Sequence, residues 1–182
     1  MTGTVTTLTA RNADFAQHVF VPGASMMPAL KTMVIGCVDP RVDPAHVLGL
    51  ANGDALVIRN VGGRFTPAAF QTMATLRLIA EAEGAAPGPG FNLIVLQHTD
   101  CGITRLGGHP DLLASAFGIE EADLPAKAVS DPRAAVAVDV AAIKDNPFLP
   151  ADFIVSGLVY DVRTGLVETV AAPSLLREST GA

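Results

Sequence analysis

Runs of apolar, largely β-branched residues at 33–38, 55–61, 91–97 and 153–159 narrow the fold more than any other feature of this chain. Each is nearly continuous in apolar character rather than alternating, the pattern of strands covered on both faces. Helix-start signals fall between them. Asp43–Pro44, Thr66–Pro67 and Asp131–Pro132 each set a capping side chain before a proline whose fixed φ suits the first helical position. After Thr66–Pro67 the apolar residues Phe70, Met73, Leu76, Leu78 and Ile79 follow, and Gly84 stands where that helix should end. Residues 133–144 and 111–117 read as further helices, and Glu120, Glu121 and Asp123 as a solvated acidic turn. A weaker run, 166–170, follows the turn residues Arg163–Thr164–Gly165 and reads as an antiparallel edge strand. Strands alternating with helices imply a parallel sheet. The expected fold is therefore α/β: a single domain with a mainly parallel central sheet, about four parallel strands plus an antiparallel edge strand, flanked by helices.

Composition sets the outer bounds. The 182 residues suit one domain, and 49% hydrophobic against 16% charged residues excludes a disordered chain. A net charge of −6 argues against a nucleic-acid partner, which needs clustered Lys and Arg. No uncharged apolar run reaches membrane-spanning length, and the opening MTGTVTTLTARNADF lacks the apolar stretch of a signal peptide. A cytoplasmic protein without a membrane partner is expected. So few charges on so apolar a chain imply that another copy covers some surface, as in a homodimer. Residues 1–25 read as an N-terminal arm that packs on the partner through Phe15, Val19, Phe20 and Val21, and residues 26–182 as the main folded domain.

Only two cysteines occur, Cys37 and Cys101. In a chain without a secretory signal they point toward metal binding or catalysis, although two reduced core cysteines would be unremarkable alone. Their context decides more. The first strand runs into Cys37-Val38-Asp39-Pro40-Arg41, and the third into His98-Thr99-Asp100-Cys101-Gly102. Both clusters fall at carboxyl ends of parallel strands, where open α/β sheets place their ligands. Two thiolates and an imidazole are suitable zinc ligands, and three protein ligands leave a fourth position open, as in catalytic zinc sites. Singly, each residue has a plain alternative: a hydrogen-bonded strand-end histidine, a local Asp39–Arg41 ion pair, two inert thiols. Jointly the coincidence favours a site. His18, His46 and His109 read as surface histidines.

These motifs resemble the β-class carbonic anhydrases. The Cys-x-Asp-x-Arg motif stands as CVDPR, the His-x-x-Cys motif as HTDC followed by glycine, and IRNVGG at 58–63 is similar to the segment that family carries between them. The resemblance spans about residues 26–172. It implies one Zn2+ per chain held by Cys37, His98 and Cys101, with Asp39 and Arg41 as a catalytic dyad. Asp39 would accept a hydrogen bond from zinc-bound water, and Arg41 would hold its carboxylate. In some members the matching aspartate itself joins the metal, so Asp39 is also a potential ligand. The implied reaction is attack of zinc-bound hydroxide on CO2 to give bicarbonate and a proton. Two thiolates cancel the charge of zinc, so activity should climb as pH rises through the mildly alkaline range. Pro40 departs from the Ser or Ala common at that position and stiffens the loop. Three other readings compete: a hydrolase of carbonyl sulfide or carbon disulfide on the same fold, a metal-free enzyme with Cys37 as nucleophile, and a non-catalytic zinc- or bicarbonate-binding module.

Overall fold

A computed structural model describes residues 3–85 and 87–178. Five strands, β1 (Thr32–Cys37), β2 (Ala55–Asn60), β3 (Asn92–His98), β4 (Ile154–Tyr160) and β5 (Val167–Leu175), form one sheet in the order β2-β1-β3-β4-β5. The first four are parallel and β5 runs antiparallel to β4, as the strand pattern predicts. Ile35 in β1 is flanked by Ile58 and Val95, and Val95 in turn pairs with Gly157. The four parallel strands lie within one residue of their expected spans. β5 instead continues to Leu175 through register shifts and includes Pro173, whose missing N–H only an edge strand tolerates. That proline is what made the run look shorter.

Among the described residues five α-helices accompany the sheet: α1 (Thr4–His18), α2 (Pro44–Val47), α3 (Pro67–Ala82), α4 (Pro110–Phe117) and α5 (Pro132–Asp145). The caps work as the sequence proposes. Asp43 accepts from the Ala45 N–H, Thr66 from Ala69, and Asp131 from Arg133 and Ala134. Gly84, with φ +68°, follows α3. Helix α1 is the unexpected element, because its threonines and Asn12 have poor helix propensity and disguise it. It buries no residue on its own chain.

The main core joins Ile35, Leu93, Val95 and Val155 to Val136, Val140 and Ile143 of α5. Helix α5 sits so close to β4 that any side chain at Gly157 would collide with Val136 and Val140. β2 departs from the expectation of strands covered on both faces. As a sheet edge it is only half-buried, and Val57 is 40% exposed. The strand order carries the functional consequence. From β1 the sheet extends to β2 on one side and to β3 on the other, so the order reverses between β1 and β3. In open α/β sheets a crevice forms at the carboxyl ends of the two strands flanking such a reversal. β1 ends at Cys37 and β3 at His98.

Candidate metal centre

Cys37, His98 and Cys101 are brought together there, and all three are buried. Their ligand atoms lie within 4.8 Å of one another, and the two Sγ atoms are 3.8 Å apart as free thiols. His98 Nδ1 lies 2.9 Å from the carbonyl of Thr99, a contact that puts the proton on Nδ1 and leaves Nε2 as the basic nitrogen. Nε2 is buried without any hydrogen-bond partner, the sole buried side-chain polar atom among the described residues in that condition. An orphaned acceptor costs about 1–3 kcal/mol, so its survival beside two sulfurs calls for a ligand. Two sulfurs and an imidazole suit a borderline-soft divalent metal, and the residues present fit one.

The electrostatics point the same way. A hydrogen bond from the Cys101 thiol is the largest influence holding the Cys37 thiol down to about 4; burial opposes it, and His98 and the backbone N–H groups of Asp39 and Gly62 assist. Cys101 is pushed up by that same neighbour and by burial. Two adjacent buried thiols thus ionise once readily and a second time with difficulty, and a divalent cation between them is what would make both thiolates favourable. Burial opposes a charged His98, but the Cys37 sulfur and the Thr99 carbonyl outweigh it and raise its pKa.

Asp39 stands apart from the three converging residues. Its carboxylate is gripped by Arg41, with Nη2 donating to Oδ2 at 2.8 Å, Nε to Oδ1 at 3.1 Å, and the Arg41 backbone N–H to Oδ1 at 2.9 Å. That grip pulls the Asp39 carboxyl down to about 2. A carboxylate so engaged is ionised, fixed in direction and held by nitrogen donors.

Several residues that matter to this geometry carry no obvious motif. Arg59 donates to the carbonyls of Cys37 and Asp39, both at 2.8 Å, and pairs with Asp43 at 2.6 Å, so it clamps the backbone of the loop after β1. Arg64 and Asp139, 1% and 2% exposed, form a bidentate pair, and Asp139 also accepts from Gln97 and from the Phe65 N–H. This network fixes the turn at Gly62–Gly63 against β1. At Gly63, with φ +62°, a Cβ would sit 2.8 Å from the Cys37 nitrogen, so only glycine permits that approach. The available signal was a charge in an apolar pattern: Arg59 within ALVIRN and Asp139 within VAVDVAAI. His18, His46 and His109 are exposed, as expected.

Cavities flank the sheet among the described residues. An apolar one of about 310 Å³ opens at the amino ends of the strands, between α3 and Phe148, Leu149 and Phe153, remote from the sulfurs. A crevice of about 40 Å³ adjoins His98 and Cys101 and is lined by Arg64, Gln97, Thr104 and Ser130. Its size admits only a solute of a few atoms.

The family model for carbonic anhydrase matches residues 32–167. Beta-carbonic anhydrase 1 of Mycobacterium tuberculosis is 29% identical over 164 residues, 88% of this chain and 94% of its own. The carbon disulfide hydrolase of an Acidianus species is 27% identical over 157 residues, 72% of each chain. The crystal structure of carbonic anhydrase from Streptococcus mutans aligns with a TM-score of 0.68 at 29% identity, covering 93% of this chain and 98% of that one. Matched by the family model from the first residue of β1 to the first of β5, this chain belongs to the carbonic anhydrase family, in its β class.

Proposed function

We propose that the protein catalyses the reversible hydration of CO2 to bicarbonate and a proton, using one Zn2+ held by Cys37, His98 and Cys101. The observation that carries this reading is the orphaned His98 Nε2 beside two free sulfurs, with an ionised carboxylate close by but held off by Arg41. When bound, zinc would supply the Lewis acidity that makes water nucleophilic toward CO2. The protein's own groups do the rest. The Thr99 carbonyl holds the His98 proton on Nδ1, and Gly63 lets the next strand's turn brace Cys37. Asp39 serves as a fixed hydrogen-bond acceptor that orients the attacking water, and Arg41 keeps that carboxylate charged and directed. The small crevice at His98 and Cys101 suits a triatomic substrate. Zinc content and CO2 hydration rate measured on one preparation test the reading. Cys101→Ser should lose most bound zinc and all activity, and full zinc occupancy in that variant would refute the ligand assignment.

A second reading is hydrolysis of carbon disulfide or carbonyl sulfide, and its carbon disulfide arm draws support from the Acidianus relative, whose name states that activity. Rates with each gas on the same zinc-loaded preparation separate the two. The proposal extends to assembly and setting. Helix α1 buries nothing on its own chain, and Val5, Leu8, Val19, Phe20 and Val21 are exposed, which supports an N-terminal arm packing on a second copy in a dimer or dimer of dimers. No helix among the described residues is long and apolar enough to cross a membrane. The two cysteines stand as free thiols, in keeping with the expected cytoplasmic setting.

A further inference from the structure

Arg41 is shared between two carboxylates. While Nε and Nη2 donate to Asp39, Nη1 donates to Asp100 Oδ2 at 2.9 Å, and Nη2 reaches the Asp100 carbonyl at 3.0 Å. Asp100 belongs to the loop after β3, between His98 and Cys101, and its backbone is left-handed with φ +53°. A residue with a Cβ adopts that conformation only at a cost, although aspartate is among those that tolerate it best. Arg105 lies 3.7 Å from the other Asp100 oxygen.

We propose that Asp100 is a positioning residue for the metal centre: it anchors the Arg41 guanidinium so that Arg41, rather than the metal, retains Asp39. The proposal rests on the zinc-site reading above. The two carboxylates take different N–H groups of one planar fork, so Asp100 does not compete with Asp39 for hydrogens. It removes freedom from a long side chain that is otherwise 46% exposed, and that freedom would weaken the hold on Asp39. Arg41 thereby ties the loop that follows Cys37 to the loop between His98 and Cys101. The Asp39–Arg41 pair, only two residues apart in sequence, could not make that link by itself.

The test uses the full chain loaded with Co2+, whose visible spectrum reports the ligand set, and a titration with azide, which reads whether a coordination position is open. Asp100→Gly removes the carboxylate and suits the left-handed backbone, while Asp100→Asn keeps the size of the side chain. At one fixed pH the azide dissociation constant should rise about two- to fivefold in Asp100→Gly, the range of one exposed ion pair, and should rise in Asp100→Asn as well. In an Asp39→Asn background neither substitution should change it. An unchanged azide affinity in Asp100→Gly, or the same shift in both Asp39 backgrounds, overturns the proposal. If the unsubstituted chain binds no cobalt with a thiolate charge-transfer band, the metal-site reading falls and takes this one with it.

Discussion

Asp139 offers the sharpest test of how this site is held, because it accepts four hydrogen bonds while 2% exposed. Arg64 Nε and Nη2 donate at 2.8 and 3.1 Å, the Phe65 N–H at 3.1 Å and Gln97 Nε2 at 3.2 Å. Asp139→Ala leaves the Arg64 guanidinium buried with only the Lys127 carbonyl and the face of Phe117 for company. An uncompensated buried charge of this kind costs about 3–5 kcal/mol. That is a large share of the roughly 5–15 kcal/mol by which domains are stable. With an m-value of about 2 kcal/mol/M, the urea midpoint of the zinc-loaded protein should fall by roughly 1.5–2.5 M. Adding Arg64→Met should restore at least half of the loss, since the stranded charge goes with it, while the Phe65 N–H and Gln97 remain short of a partner. A midpoint loss worth less than about 1 kcal/mol in Asp139→Ala would refute the reasoning, as would a double variant no more stable than the single.

Two further outcomes follow from the same geometry. Gly63→Ala puts a Cβ 2.8 Å from the Cys37 nitrogen and 3.1 Å from the Leu96 carbonyl, at φ +62°. It should cost about 1–3 kcal/mol and weaken zinc binding through Cys37; thermal melting with chelator competition measures both, and wild-type zinc affinity would contradict it. Asp39, lowered from 3.8 to about 2, gives a stability contribution complete above about pH 4 and lost as pH falls through about 2. A carboxyl-carbon NMR titration of folded protein should find that low value and see it return toward 3.8 in Arg41→Ala. A wild-type value near 3.8 would show that Arg41 does not grip the carboxylate.

Local chemistry made much of this protein legible from its sequence. Asp43, Thr66 and Asp131 cap the helices they precede, since a capping side chain and its target N–H are two or three residues apart. Continuous apolar runs gave strands to within a residue, because burial on both faces leaves no polar alternation to misread. Cys37, His98 and Cys101, which converge in the fold, were singled out as well, by cysteine scarcity and by their places at strand ends. Helix α1 stayed hidden because its threonines argue against the helix it forms, and β5 looked short because Pro173 interrupts it.

What the sequence could not decide depends on partners far along the chain. Arg64 meets Asp139 across 75 residues, Arg59 meets Asp43 across 16, and Arg41 meets Asp100 across 59. Arg59 and Asp139 stand out as charges in apolar runs, but nothing nearby named their counterparts. Strand order was equally nonlocal. Cys37 and the His98–Cys101 pair could have closed on separate crevices; pairing β1 with β3 puts them at one reversal point of the sheet. Residue type and spacing fix which groups can ligate or cap, since those preferences act over a few bonds. Whether they meet is set by packing and strand pairing of the whole chain, which act only once it is folded.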